Sequence, residues 1–167
     1  MTSHDRRSFS CGVPSLDRYF REQAGQDFRR HLAKCYVAVS HDQAVAGFYT
    51  LSATSLLISE LPQGADKKLP YPLVPAALIG RLAVSQAHQQ QGLGTALVIH
   101  AIRCTLEAGM AAFALVVDAE NPSAARFYEH LGFQRLQTRA EPTGNPRSRL
   151  FLPISSRLCE RVQGTLE

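Results

Sequence analysis

Hydrophobic residues recur along this chain with two different periods, and each change of period marks an element. From Ser15, "SLDRYFREQAGQDFRRHLAK" repeats apolar side chains at spacings of three and four: Leu16, Tyr19, Phe20, Ala24, Phe28 and Leu32. That spacing predicts one amphipathic helix with Ser15 as its N-cap. Arg18, Arg21, Arg29 and Arg30 lie off the apolar stripe. Gly25 falls inside the helix, where it costs about 1 kcal/mol relative to alanine. "CYVAVS" and "AVAGFYTLSATSL" flank "HDQ" and predict a β-hairpin. Residues 59–76, with Pro62, Pro70, Pro72 and Pro75, read as a loop.

Downstream the pattern alternates. "LIGRLAVS" predicts a strand, "GLGTALVIHAIRCTLEAG" a helix with Gly109 near its end, and "FALVVDA" a buried strand. "NPSAARFYEHLG" predicts a short helix with Asn121 as N-cap, Pro122 at its first position and Gly132 closing it. "FQRLQT" and "RSRLFLP" predict a last hairpin around "EPTGNP", with a short terminal helix over 155–162. A strand–helix–strand unit favours a right-handed crossover between parallel strands. Antiparallel strands flank it, so the expected class is a mixed α/β domain.

Composition narrows this picture. A length of 167 residues suits one domain, 1–167, and 45% hydrophobic with 19% charged residues suits a folded one. No apolar run approaches the roughly 20 residues that span a bilayer. The N-terminal "MTSHDRRSFSCG" has no apolar signal stretch, so a cytoplasmic location and no membrane partner are expected. Cys11, Cys35, Cys104 and Cys159 are scattered, and the histidines have no ligand spacing, so neither a disulfide nor a metal site is expected. The formal charge is +4, and 15 of the 18 basic residues are arginine. Seven basic residues lie between Arg6 and Lys34, and four arginines between Arg135 and Arg149. Arginine forks suit phosphate, so two such clusters hint at an anionic partner, against the plainer reading of two solvated faces.

The candidate chemistry sits where "LIGRLAVS" meets the next helix, in "QQQGLG". The first turn of a helix leaves N–H groups without intrahelical partners, and the helix dipole adds partial positive charge. Glycines there let backbone approach a ligand. The result is either an ordinary strand-to-helix turn or a phosphate site. A third Rossmann glycine and a Walker lysine are both missing.

Gln89-Gln90-Gln91-Gly92-Leu93-Gly94 fits Q/R-x-x-G-x-G/A between a strand and a helix, and "NPSAARFYEHLGF" follows after a further strand. This ordered pair resembles the GNAT acetyltransferases over nearly the whole chain. The resemblance implies a mostly antiparallel mixed sheet with splayed parallel central strands, flanked by helices. It implies acetyl-CoA as cofactor, with the pyrophosphate held around Gln89, Gln90, Gln91, Gly92, Leu93, Gly94 and Thr95. It implies that Leu82, Ala83 and Val84 pair with the pantetheine arm. Asn121, Ser123 and Phe127 would lie by the cofactor, and the Tyr128 hydroxyl would face its sulfur as the catalytic donor. Capping of the helix by Asn121 and core packing of Phe127 are the plainer alternatives. The loop carries no Arg or Lys, unlike many members, so any phosphate there leans on backbone amides.

Acetyl transfer needs a neutral amine, a stabilised thioester oxygen and a protonated leaving group. The Val84 N–H is the candidate for polarising the carbonyl. An α-amino group, with a pKa of about 7.7–8.0, is partly neutral at pH 7, whereas lysine near 10.4 is not. This favours an α-amine acceptor. "FSCGVPSLDRYFREQAGQDFRRHLAK", "AGFYTLS" and the ending "RLFLP" resemble the TacT-type toxin branch of the family. That resemblance implies acetylation of the α-amine of charged tRNA, a block on translation, a ribbon-helix-helix antitoxin and a homodimer. By analogy, Arg29, Arg30, Arg81, Arg135, Arg139, Arg147 and Arg149 are candidate tRNA contacts. The alternatives are an acetyltransferase acting on a protein N-terminus or small amine, and a non-catalytic binding domain.

Overall fold

The computed structural model describes residues 5–65, 69–137, 148–155 and 158. It carries α1 (Pro14–Glu22), α2 (Ala24–Arg29), β1 (Lys34–Val39), β2 (Val45–Leu57), β3 (Leu73–Val84), α3 (Leu93–Glu107), β4 (Ala114–Ala119), α4 (Pro122–His130), β5 (Gln134–Arg135) and β6 (Ser148–Pro153). Short 3₁₀ turns cover Ile58–Glu60 and Gln86–His88. The strands form one mixed sheet in the order β1-β2-β3-β4-β6-β5. It is mostly antiparallel with a parallel β3–β4 pair, as the alternating pattern predicts. Both hairpins form: Tyr36 opposes Tyr49, and Gln134 opposes Phe151. No described helix is long and apolar enough to cross a membrane.

Three expectations need correction. The first helix is not continuous to Lys34. It starts at Pro14, whose fixed φ suits the first helical position, with Val13 rather than Ser15 as N-cap. It breaks at Gln23, whose carbonyl then accepts the N–H groups of Gln26 and Asp27 to begin α2. The end of the apolar stripe lies outside the core: Phe28 and Leu32 are exposed. The second correction is to the proline-rich loop, which ends earlier than expected. β3 begins at Leu73 and includes Pro75. The Pro75 carbonyl accepts the Phe113 N–H at 2.8 Å, so its missing N–H falls opposite the chain just before β4 begins, where no strand carbonyl needs it. The third is an unforeseen 3₁₀ turn between β3 and the glutamine run. The last turn, 138–147, and most of the expected terminal helix lie outside the described residues.

The chain divides into two compact units, Met1–Ser52 with Ile79–Ala101, and Ala53–Leu78 with Ile102–Glu167. β2, β3 and α3 therefore each contribute to both. The first unit is centred on Phe9, Phe20 and Phe48, with Phe20 and Phe48 stacked at 4.3 Å and Phe9 edge-on to both. The second packs Leu56, Val74, Val116, Leu136 and Phe151.

Asp17 is buried beneath the first core. It accepts the Cys11 N–H at 2.8 Å and the Ser10 hydroxyl at 3.1 Å. Burial pushes its carboxyl upward, but the hydrogen bonds from Cys11 and Ser10 and the charge of Arg21 outweigh that and hold it below the ordinary value. A carboxylate lowered on folding stabilises the protein above its unfolded pKa, near 4, and less as pH falls through the folded value. Asp17→Asn is expected to cost about 1–3 kcal/mol at neutral pH. Urea titrations should show the gap from wild type narrowing below about pH 4.

Candidate functional site

In the first unit, β3 delivers the chain to the mouth of α3. Leu82 and Val84 are half-buried on one face, while Ala83 enters the core on the other. The Ser85 N–H binds the Ala46 carbonyl, and the Ser85 hydroxyl meets His88 Nδ1 at 2.7 Å. The N-terminal segment braces this turn. The Ser10 carbonyl accepts the Gln86 N–H at 2.9 Å, and the Cys11 carbonyl accepts Gln89 Nε2 at 2.9 Å. Gln89 Nε2 also donates to the Val84 carbonyl at 3.0 Å. Asp17, Cys11, Gln89 and Val84 thus link α1 to the end of β3. The motif places Gln89 in the ligand-facing loop, and its side chain fastens that loop to its support. Gln91 does the same within the loop, donating to the Ala87 carbonyl at 3.2 Å. No spacing rule reveals the bond to Cys11, whose carbonyl is brought to Gln89 from 78 residues away by tertiary packing.

The loop crosses into left-handed backbone twice, at Gln90 (φ 59°) and Gly92 (φ 82°). A β-carbon on Gly92 would meet no heavy atom within 4 Å, so the space over the turn is open. Leu93, Gly94 and Thr95 open α3, and their N–H groups have no intrahelical acceptor. These features fit a pyrophosphate on the backbone. At Gln90 an L side chain sits where glycine costs nothing. Gln90→Gly is expected to raise stability by up to about 1 kcal/mol, read as a higher urea midpoint with an unchanged slope.

In the second unit, β4 leads to α4. Asn121 caps α4, its Oδ1 accepting the Ala124 N–H at 2.8 Å, and Ser123 is exposed in the first turn. Phe127 is half-buried and edge-on to Tyr128. Tyr128 is 7% exposed and also packs edge-on against Phe133. Its hydroxyl bonds to no described residue, yet no described buried side-chain N or O atom lacks a partner. Burial pushes the phenol well above its ordinary value, so Tyr128 keeps its proton at any physiological pH. Burial likewise pushes Cys11 and Cys35 up to about 11, so neither is a thiolate nucleophile at neutral pH.

The arginines differ in their surroundings. Arg29 and Arg30 are exposed at the end of α2. The Arg81 guanidinium lies 3.7 Å from the centre of the Tyr19 ring, and its backbone N–H binds Thr50 Oγ1. Arg135 pairs with Glu129 and binds the Ser148 hydroxyl. Arg149 grips Asp118 with two nitrogens, at 2.8 and 3.2 Å. Arg139 and Arg147 lie outside the described residues.

Free amides at a helix mouth suit an anionic group, and a tyrosine that holds its proton suits a leaving group. The first belongs to the first unit and the second to the second, and each suits transfer from a phosphate-bearing carrier. The chain belongs to the GNAT acetyltransferases, since the model described as Acetyltransferase (GNAT) family matches residues 2–133. A tRNA-acetylating toxin of Mycobacterium tuberculosis is 37% identical over 132 residues, 78% of each chain. Among solved structures, AtaT complexed with acetyl-methionyl-tRNAfMet is 28% identical, with a TM-score of 0.79 over 98% of this chain and 94% of that one. A tyrosine-to-phenylalanine mutant of KacT is also 28% identical, with a TM-score of 0.81 over 98% and 92%.

Proposed function

We propose that this chain is a toxin-type enzyme that transfers acetyl from acetyl-CoA to the α-amine of an aminoacyl-tRNA and so blocks translation. The observation that carries this reading is the extent of the likeness to AtaT. It covers 98% of the chain, taking in the N-terminal helices and the last hairpin as well as the cofactor motifs. On this reading residues 1–167 work as one cytoplasmic acetyltransferase domain, paired in a homodimer and restrained by a ribbon-helix-helix antitoxin.

Bound acetyl-CoA supplies an activated acyl group on a thioester. The backbone N–H groups around Gln90, Gln91, Gly92, Leu93, Gly94 and Thr95 hold its pyrophosphate, aided by the α3 dipole. Gln89 holds the loop through Cys11 and Val84. The edge of Leu82, Ala83 and Val84 pairs with the extended arm, and the Val84 N–H polarises the carbonyl. Asn121, Ser123 and Phe127 line the arm. Tyr128 holds a proton on its hydroxyl oxygen for the departing sulfur. An α-amine acceptor, with a pKa of about 7.7–8.0, needs little help from a general base.

Exposed Arg29, Arg30 and Arg81 are better placed to meet RNA than Arg149, whose fork is occupied by Asp118. Arg135 has a weaker claim for the same reason, and Arg139 and Arg147 rest on their sequence alone. Labelled acetyl-CoA incubated with a pool of charged tRNAs should place label on the aminoacyl group. Label found only on protein N-termini or polyamines would overturn the toxin reading in favour of another α-amine or small-amine acceptor. A chain that fails to bind acetyl-CoA in calorimetry would point to a non-catalytic domain.

A further inference from the structure

We infer that the junction of α1 and α2 carries a two-arginine phosphate seat, formed by Arg6 and Arg29 over Gly25, that receives the RNA backbone. The inference rests on the tRNA reading above. Gly25 looked in the sequence like a flaw in a helix. In the structure it is buried, and what covers it is guanidinium. Nη1 of Arg6 lies 2.9 Å, and Nη1 of Arg29 3.5 Å, from where a β-carbon on Gly25 would stand. The Arg6 fork also lies over the Phe20 ring, 5.8 Å from its centre. A ring and a bare α-carbon therefore hold Arg6 against a second cation.

Two guanidinium groups brought to one point repel unless an anion joins them. No protein carboxylate does so among the described residues, where neither arginine has an ion pair. On the same helices Asp17 accepts from Cys11 and Ser10, and Asp27 accepts from the Tyr19 hydroxyl. The seat lies on the same pair of helices as Tyr19, on which Arg81 stacks. Fork-shaped donors suit phosphate oxygens, and Arg6, Arg29 and Arg81, none of them ion-paired among the described residues, suit a polyanion better than a single small anion.

Binding of uncharged tRNA by anisotropy, across a salt series, reads the seat directly and needs no turnover. Arg6→Gln with Arg29→Gln should weaken binding about tenfold or more and flatten the salt slope by about one for each phosphate that is no longer neutralised. Gly25→Ala keeps every charge and adds helix propensity, but its β-carbon displaces Arg6. It should weaken tRNA binding while leaving the unfolding midpoint and the acetyl-CoA affinity unchanged or higher. Wild-type tRNA affinity and slope in both variants would overturn the seat. If the same variants lose affinity only for an acidic peptide, the seat belongs to a protein partner and the RNA assignment is also overturned. Failure of the wild-type chain to acetylate charged tRNA is a separate result that removes the toxin reading, while the binding series still decides the seat.

Discussion

Tyr128→Phe is expected to lower acetyl transfer by about 10²- to 10⁴-fold, the range typical for loss of a positioned proton donor. The substitution removes one oxygen and keeps the ring that packs on Phe127 and Phe133. The fold and acetyl-CoA affinity should therefore be retained, and growth inhibition on expression should be relieved at equal protein level. The pH profile adds a sign. Burial favours the neutral phenol, so Tyr128 loses its proton only above its ordinary value of about 10. With limiting aminoacyl-tRNA, the wild-type rate should rise with pH through the range of the α-amine. It should show no fall from tyrosine ionisation below about pH 10. Full activity of the phenylalanine variant, or a falling limb near neutrality, would remove Tyr128 from the donor role.

Gly92→Val should abolish cofactor binding with little loss of the remaining fold. Gly92 has φ 82°, where a β-branched residue is strongly disfavoured, by about 1–2 kcal/mol or more. The strain would pull the turn away from its left-handed geometry and misaim the first N–H groups of α3. Hydrogen bonds to a charged group are worth about 1.5–3 kcal/mol each, so losing two weakens acetyl-CoA binding by at least about 10²-fold. Calorimetric titration measures this directly, and circular dichroism checks that the helices persist. The expected contrast is with Gln90→Gly, two residues away, which relaxes the same turn and should leave binding intact. Equal acetyl-CoA affinity in wild type and Gly92→Val would move the pyrophosphate away from this loop.

The sequence was most legible where local chemistry acts alone. Asn121, Pro122 and Gly132 bounded α4 correctly, because capping, fixed φ and left-handed closure are properties of single residues. Apolar runs bounded by turn residues placed β1, β2 and β4, and the glycines placed the mouth of α3. The sequence was least legible where a residue serves a distant one. The apolar spacing of α1 runs in phase past Gln23, so nothing in it shows that the helix ends there or that Leu32 is exposed. Pro75 looked like a loop residue because its missing N–H is harmless only beside a strand that has not yet begun. Asp17 is buried and bonded to the segment that carries Cys11, which the helical spacing does not show.

The sequence by itself determined the order of elements and the paired motifs that mark the family. Each of these rests on residue type and spacing within a short stretch. Only the tertiary structure decided what the polar side chains do. It tied the Gln89 side chain to the Cys11 and Val84 carbonyls, engaged Arg149 with Asp118, and covered Gly25 with Arg6 and Arg29. The physical reason is reach. A backbone preference is fixed within a few residues of the chain, whereas a glutamine or guanidinium chooses among partners that only the folded packing brings within about 3 Å.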